Sequence, residues 1–262
     1  GYTHIPMHFA PEGAVFVVFT EGGGQAEHIV RVDRSGSPLS AAQSSSPRYP
    51  QVGFEYAGTD VYAAVYDPGH YTVYWSNGST SVAEAKRLPS EITVGGDWSV
   101  RFDPDWGPKE AVVFPELISW TESPEPLIRY YSGKAVYENA FDLDKDQIRG
   151  RKVLLDLGNV QDVAVIRVNG HEFPVSWCSP YEVDITPYVR AGRNRLSVDV
   201  VNLWPNRLIG DGKLPPGERM TRSNISKYDA PDAEKYMRVS GLLGPVRVKF
   251  FERVKITPQD KN

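Results

Sequence analysis

A two-domain, all-β fold is what this sequence predicts, and three observations predict it. Short apolar runs rich in Val, Ile, Tyr and Phe recur along nearly the whole chain, many alternating with polar residues. The 23 Gly and 21 Pro residues fall between those runs as punctuation, as turns do in β proteins. The pattern restarts around Gly95-Gly96-Asp97-Trp98, which divides the chain into residues 1–94, a small β-sandwich, and residues 95–262, a larger one. With 262 residues, 40% of them hydrophobic, both parts have enough apolar surface for a core.

In the first part the spacing predicts strands at Ala14–Thr20, His28–Asp33, Val61–Tyr66, Tyr71–Ser76 and Ser81–Ala85. Ser76-Asn77-Gly78-Ser79 reads as a hairpin turn, with Asn-Gly supplying the positive φ angles of a type I′ turn. Ser35–Pro50 reads as an exposed loop. In the second part, strands are predicted at Trp98–Phe102, Ile128–Tyr131, Ala135–Phe141, Lys152–Leu157, Asp162–Val168, Glu182–Ile185, Arg195–Val201 and Val246–Phe251. Helix is confined to fragments: a single turn at Thr186-Pro187-Tyr188, which has an N-cap residue and Pro at the first helical position, and another within Pro231–Arg238. Residues 205–236 lack a strand pattern and read as one long loop, a place where compact domains tend to carry function. Many short antiparallel strands have to cover their apolar faces against a second sheet, so sandwiches follow.

A net charge of −4 gives no basic stripe for phosphates, which excludes nucleic acid as the expected partner. The longest apolar run, Ala14 to Phe19, falls far short of a membrane span, so a soluble chain without a membrane partner is expected. Cys178 is the single cysteine, which excludes an internal disulfide and reads as a small buried hydrophobe. The chain starts at Gly1 rather than Met, as an excised or processed piece would.

Four blocks, Leu154–Val160, Ala164–Gly170, Pro180–Thr186 and Gly192–Val198, resemble the jelly-roll, galactose-binding-like "sugar-binding" domain of glycoside hydrolase family 2. Ser119-Trp120-Thr121, Tyr131-Ser132-Gly133, Trp177 before Pro180-Tyr181, Asn202–Asp211 and Ser240–Val246 look like the C-terminal β domains of glycoside hydrolase family 106 α-L-rhamnosidases. The resemblance implies an accessory unit that accompanies a catalytic (β/α)8 barrel in cis, in a secreted enzyme, extracellular or periplasmic. No alternation of strands with long helices, the signature of such a barrel, occurs in this chain.

Glycoside hydrolysis needs two carboxylates facing each other across the scissile bond. Asp103, Asp105, Glu122, Glu125, Glu138, Asp156, Asp184, Asp199 and Asp211 are available, but spacing singles out no pair, and no catalytic residue is assigned. The five histidines are scattered, which disfavours zinc, and Glu21-Gly22-Gly23-Gly24 lacks the context of a phosphate loop. A structural Ca2+ would suit Asp and Asn side chains of a jelly roll, although no contiguous ligand loop names its ligands. Carbohydrate recognition has other needs: aromatic faces for C–H-rich sugar surfaces, with planar polar groups beside them for hydroxyls. Trp177 with Tyr181, and Trp204 with Asn206, Arg207 and Asp211, offer that combination, and they form one cleft if both loops leave the sandwich at the same end. The expected function is therefore carbohydrate binding without catalysis, and the resemblance to rhamnosidase domains implies that it serves an enzyme acting on rhamnose-containing plant or algal polysaccharide. A purely structural scaffold is the second reading and a hydrolase or lyase with an unrecognised site the third.

Overall fold

The computed structural model describes residues 27–39, 51–58 and 60–257. The expected strand Ala14–Thr20, the Glu21–Gly24 turn and most of the Ser35–Pro50 loop lie outside these residues. The fold is nearly all β, as the punctuation of the sequence predicts.

The larger unit is a jelly-roll sandwich. One six-stranded sheet has the order β14 (His171–Glu172), β13 (Val163–Val168), β16 (Gly192–Val201), β10 (Lys134–Leu143), β8 (Trp98–Phe102) and β9 (Val112–Phe114), every neighbour antiparallel. Facing it is a sheet ordered β15 (Glu182–Asp184), β11 (Arg151–Asp156), β18 (Arg247–Ile256), β4 (Asp60–Val65) and β3 (Val52–Ala57). Period-2 alternation explains the packing. Tyr137, Val198, Ile166 and Val100 point inward and are fully buried, while Glu138, Ser197, Arg167 and Arg101 alternate with them on the outer face.

Tyr137 shows how this core tolerates a polar atom. Its hydroxyl accepts hydrogen bonds from Trp120 Nε1 and from the Leu242 backbone N–H, and burial pushes its acidity far below that of an ordinary phenol. Tyr137→Phe strands both donors inside the core and is expected to cost about 2–6 kcal/mol, since each buried orphan costs about 1–3 kcal/mol. An unchanged urea midpoint would show instead that the two N–H groups find other acceptors.

A second apolar core lies between a small sheet, β2 (Ser37–Pro38), β1 (Ile29–Arg34), β5 (Gly69–Trp75) and β6 (Thr80–Ala85), and strands β3 and β4. Tyr71, Val73, Ala63 and Val65 fill it. Strand β18 serves both cores. Val248 and Phe250 face the jelly roll, whereas Val254 and Ile256 pack with the N-terminal strands and pair with β4. The C-terminal strand is therefore shared across the division drawn at residue 94, because strand pairing joins segments far apart in sequence.

Three local expectations are corrected. Ile128–Tyr131 is not a strand: Glu125 caps a short helix, α1 (Pro126–Arg129), by accepting from Leu127 N–H, and Pro126 starts it with a preset φ. The hairpin at residues 76–79 is not type I′. Only Gly78 takes a positive φ, and its N–H donates to Trp75 O. The long segment after residue 204 is not a loop throughout, because beyond the short α2 (Lys145–Ile148) the chain forms a third α-helix, α3 (Pro205–Gly212), where that segment opens.

Candidate functional site at one end of the jelly roll

The ladder of β13 and β16 sets the geometry of the candidate site. Val163 stands opposite Val201, so the start of β13 and the end of β16 lie at the same edge. On the other side of β13, Ala164 and Ser176 exchange both backbone hydrogen bonds, at 2.7 and 2.9 Å. Trp177 follows Ser176 directly, and Trp204 comes three residues after Val201. Two strand spacings of about 4.8 Å separate the segments that carry them. Both loops thus leave the sandwich at one end, and both indoles are open to solvent, at 64% and 61% exposure. Trp204 meets the half-buried Trp106 edge to face, with ring centres 6.4 Å apart. Val175 and Leu203 add further exposed apolar surface along the same segments.

Asp162 lies between the two loops. Its N–H donates to Val201 O. Burial holds its carboxyl above the ordinary range, opposed by a hydrogen bond from the Leu203 backbone and by the charge of Arg238. No sequence signal marked this residue; it becomes visible only when the two loops are placed on either side of β13.

The other expected site residues are turned inward. Tyr181 is buried, and its hydroxyl donates to Asp162 O at 2.6 Å. Asn206 is fully buried, with Nδ2 donating to Arg238 O and Ser240 Oγ, and Oδ1 accepting from Arg238 N–H. Arg207 and Asp211 are buried as well. Their Nε and Oδ1 atoms lie 3.7 Å apart, and the second carboxylate oxygen of Asp211 accepts from the N–H and hydroxyl of Thr221. Positions 207 and 211 share a helical face, and α3 turns that face toward the protein. The structure therefore brings Trp177 and Trp204 to a common end and places Tyr181, Asn206, Arg207 and Asp211 behind them as supports.

Four of the other candidate carboxylates have structural partners. Asp156 accepts from Lys249, Asp184 from Lys152 and Thr186, Asp199 from Arg167, and Glu125 caps α1. Among the described residues no group of three or more His, Cys, Asp or Glu side chains converges as metal ligands would. The side chains of Asp156, Asp184 and Asp199 are taken up by Lys, Arg and backbone donors and so do not fit a calcium site. No described helix is long and apolar enough to cross a membrane.

The model of the glycosyl hydrolases family 2 sugar binding domain matches residues 82–221, more than half of the chain. The chain belongs to this family. It is similar to a protein of Formosa agariphila named "Putative beta-glucuronidase", at 32% identity over 265 residues, covering 91% of this chain and 22% of that protein. Its fold is similar to that of a rhamnosidase from Novosphingobium sp. PP1Y, with a TM-score of 0.55 and 24% identity, covering 86% of this chain and 25% of that one. The family 2 sugar-binding chain thus spans about a quarter or less of these two relatives. The Leu154–Val160, Ala164–Gly170, Pro180–Thr186 and Gly192–Val198 blocks all fall inside the matched segment.

Proposed function

We propose that this chain is the non-catalytic, carbohydrate-binding part of a larger polysaccharide-degrading glycoside hydrolase. Residues 1–94 and 95–262 are proposed as its two domains, and catalysis is proposed to reside in a (β/α)8 barrel of the same secreted polypeptide. The observation that carries the reading is the pair of exposed indoles, Trp177 and Trp204, at one end of a family 2 jelly roll, with Asp162 between their loops. Such a pair offers two apolar faces to sugar rings and a carboxylate to their hydroxyls. The blocks similar to family 106 make rhamnose-containing plant or algal polysaccharide the first ligand to try.

Titration calorimetry of the chain against rhamnose-containing pectic and algal oligosaccharides tests this. Binding is expected, and Trp177→Ala or Trp204→Ala is expected to weaken it roughly tenfold, the equivalent of losing one aromatic stacking contact of about 1.4 kcal/mol. Heat from none of the glycans would overturn the reading and favour the scaffold alternative. In that case the same exposed end, together with exposed Tyr56 and Val30 on the smaller unit, is surface for packing against the rest of the polypeptide.

A further inference from the structure

The outer face of the six-stranded sheet carries a second feature, well away from the tryptophans. A groove of about 580 Å³ crosses β16, β10 and β8 there, lined by Arg167, Arg193, Arg195, Ser99, Ser197 and Glu138 among others. Val201 and Arg195 are six residues apart on one strand, which sets the groove about 20 Å from the Val201 end. The three arginines differ in their state. Arg167 is neutralised by Asp199 and Glu172, at 2.7 and 2.6 Å. Arg193 and Arg195 are exposed, and among the described residues neither guanidinium has an ion-pair partner. Asp142 stands opposite Arg193 in the ladder without closing an ion pair, and Ala140 stands opposite Arg195.

Two residues apart on a strand, Arg193 and Arg195 emerge on the same face about 6–7 Å from each other. Their backbone is fixed by Asn194, which is fully buried. Asn194 donates to Arg190 O and Gly192 O and accepts from Arg190 N–H and from Asn169 Nδ2. Asn169 Oδ1 in turn accepts from Arg195 N–H. Two cationic side chains thus leave a fixed stretch of backbone on a chain whose net charge is −4. Beside them, Ser197 and Ser99 supply hydroxyls and Glu138 and Asp97 carboxylates, groups suited to neutral sugar hydroxyls.

We propose that this groove binds the anionic substituent of a glycan, a ring carboxylate or a sulfate, through Arg193 and Arg195. Guanidinium groups match both anions with paired, charge-assisted hydrogen bonds. A nucleic acid is a poor match, because two arginines with no stripe of further cations neutralise too few phosphates. The proposal rests on the carbohydrate-binding reading above and names the charge of the ligand.

The test is titration of the chain, at low salt, with oligogalacturonate against its methyl ester, and with dextran sulfate against dextran. At least one charged form is expected to bind roughly tenfold more tightly than its neutral counterpart, and whichever arm shows the preference identifies carboxylate or sulfate as the source. Arg193→Gln/Arg195→Gln is expected to abolish that preference. Lys86→Gln/Lys109→Gln removes the same charge elsewhere on the surface and is expected to keep it. Equal binding of charged and neutral forms by the unaltered chain would overturn the groove, as would equal losses in the two double variants. Trp177→Ala and Trp204→Ala are expected to weaken charged and neutral glycans alike. Absence of binding to any glycan therefore defeats the carbohydrate reading itself, while binding without charge preference defeats only the groove.

Discussion

Asp211→Ala is expected to destabilise the fold by about 3–5 kcal/mol, the cost of leaving a buried charge without its counter-ion. Arg207 is almost completely inside the protein, where burial disfavours its charged form and the carboxylate of Asp211 opposes that effect. The other contact of its guanidinium is the thioether of Met220, a weak acceptor. Removing Asp211 also strands the N–H and hydroxyl of Thr221, which tie the segment after α3 back to the helix. Arg207→Met/Asp211→Leu removes both charges together and is expected to recover the part of the loss due to the unpaired charge, because an apolar pair of similar volume carries no desolvation cost, while Thr221 still lacks its acceptor. Urea unfolding followed by circular dichroism measures all three proteins. A single variant within about 1 kcal/mol of the parent would mean that the pair is hydrated and does not pin the segment.

Gly158→Ala is expected to cost about 3 kcal/mol or more, the sum of a strained backbone and a direct steric clash. Gly158 has a φ of +67°, and a Cβ there would meet the backbone oxygen and carbonyl carbon of Gly244 at 2.5 and 2.6 Å. Backbone cannot swing aside as the end of a flexible side chain can. The close approach is what pairs β12 (Asn159–Gln161) with β17 (Gly241–Gly244), directly before Asp162 at the aromatic end. Gly170→Ala supplies the comparison. Its φ of +89° is also left-handed, yet nothing lies within 4 Å of the added atom, so only the conformational penalty of about 1 kcal/mol is expected. Equal losses in thermal unfolding would show that the contact with Gly244 relaxes without cost.

The legibility of this fold followed the range of the interactions involved. Strands β8, β10, β11, β13 and β16 announced themselves because alternation is local and each has one face in the core. Strand β3, Val52–Ala57, escaped because Gly53 and Glu55 interrupt its apolar pattern; its pairing with β4 is what orders it. Helix α3 escaped for a related reason. Its two glycines lower helix propensity, and the face formed by Asn206, Arg207 and Asp211 is polar yet buried, the reverse of the usual amphipathic pattern. Polar residues in a long segment therefore read as a surface loop, although these three are interior supports. Trp177 and Trp204 were legible as candidates from residue type alone. Their meeting at one end required the register of β13 against both β16 and Ser176.

The all-β class, most of the jelly-roll strands and the low net charge can be read locally, since composition, alternation and turn chemistry are written residue by residue. Long-range packing is what makes β18 serve two cores, sets Asp162 between two indole-bearing loops, and leaves the guanidinium groups of Arg193 and Arg195 without an ion-pair partner among the described residues. Each of these depends on which distant strands pair and in what register. Pairing of that kind is settled by burying apolar faces against the entropy of closing long loops, a balance that no local window of residues contains.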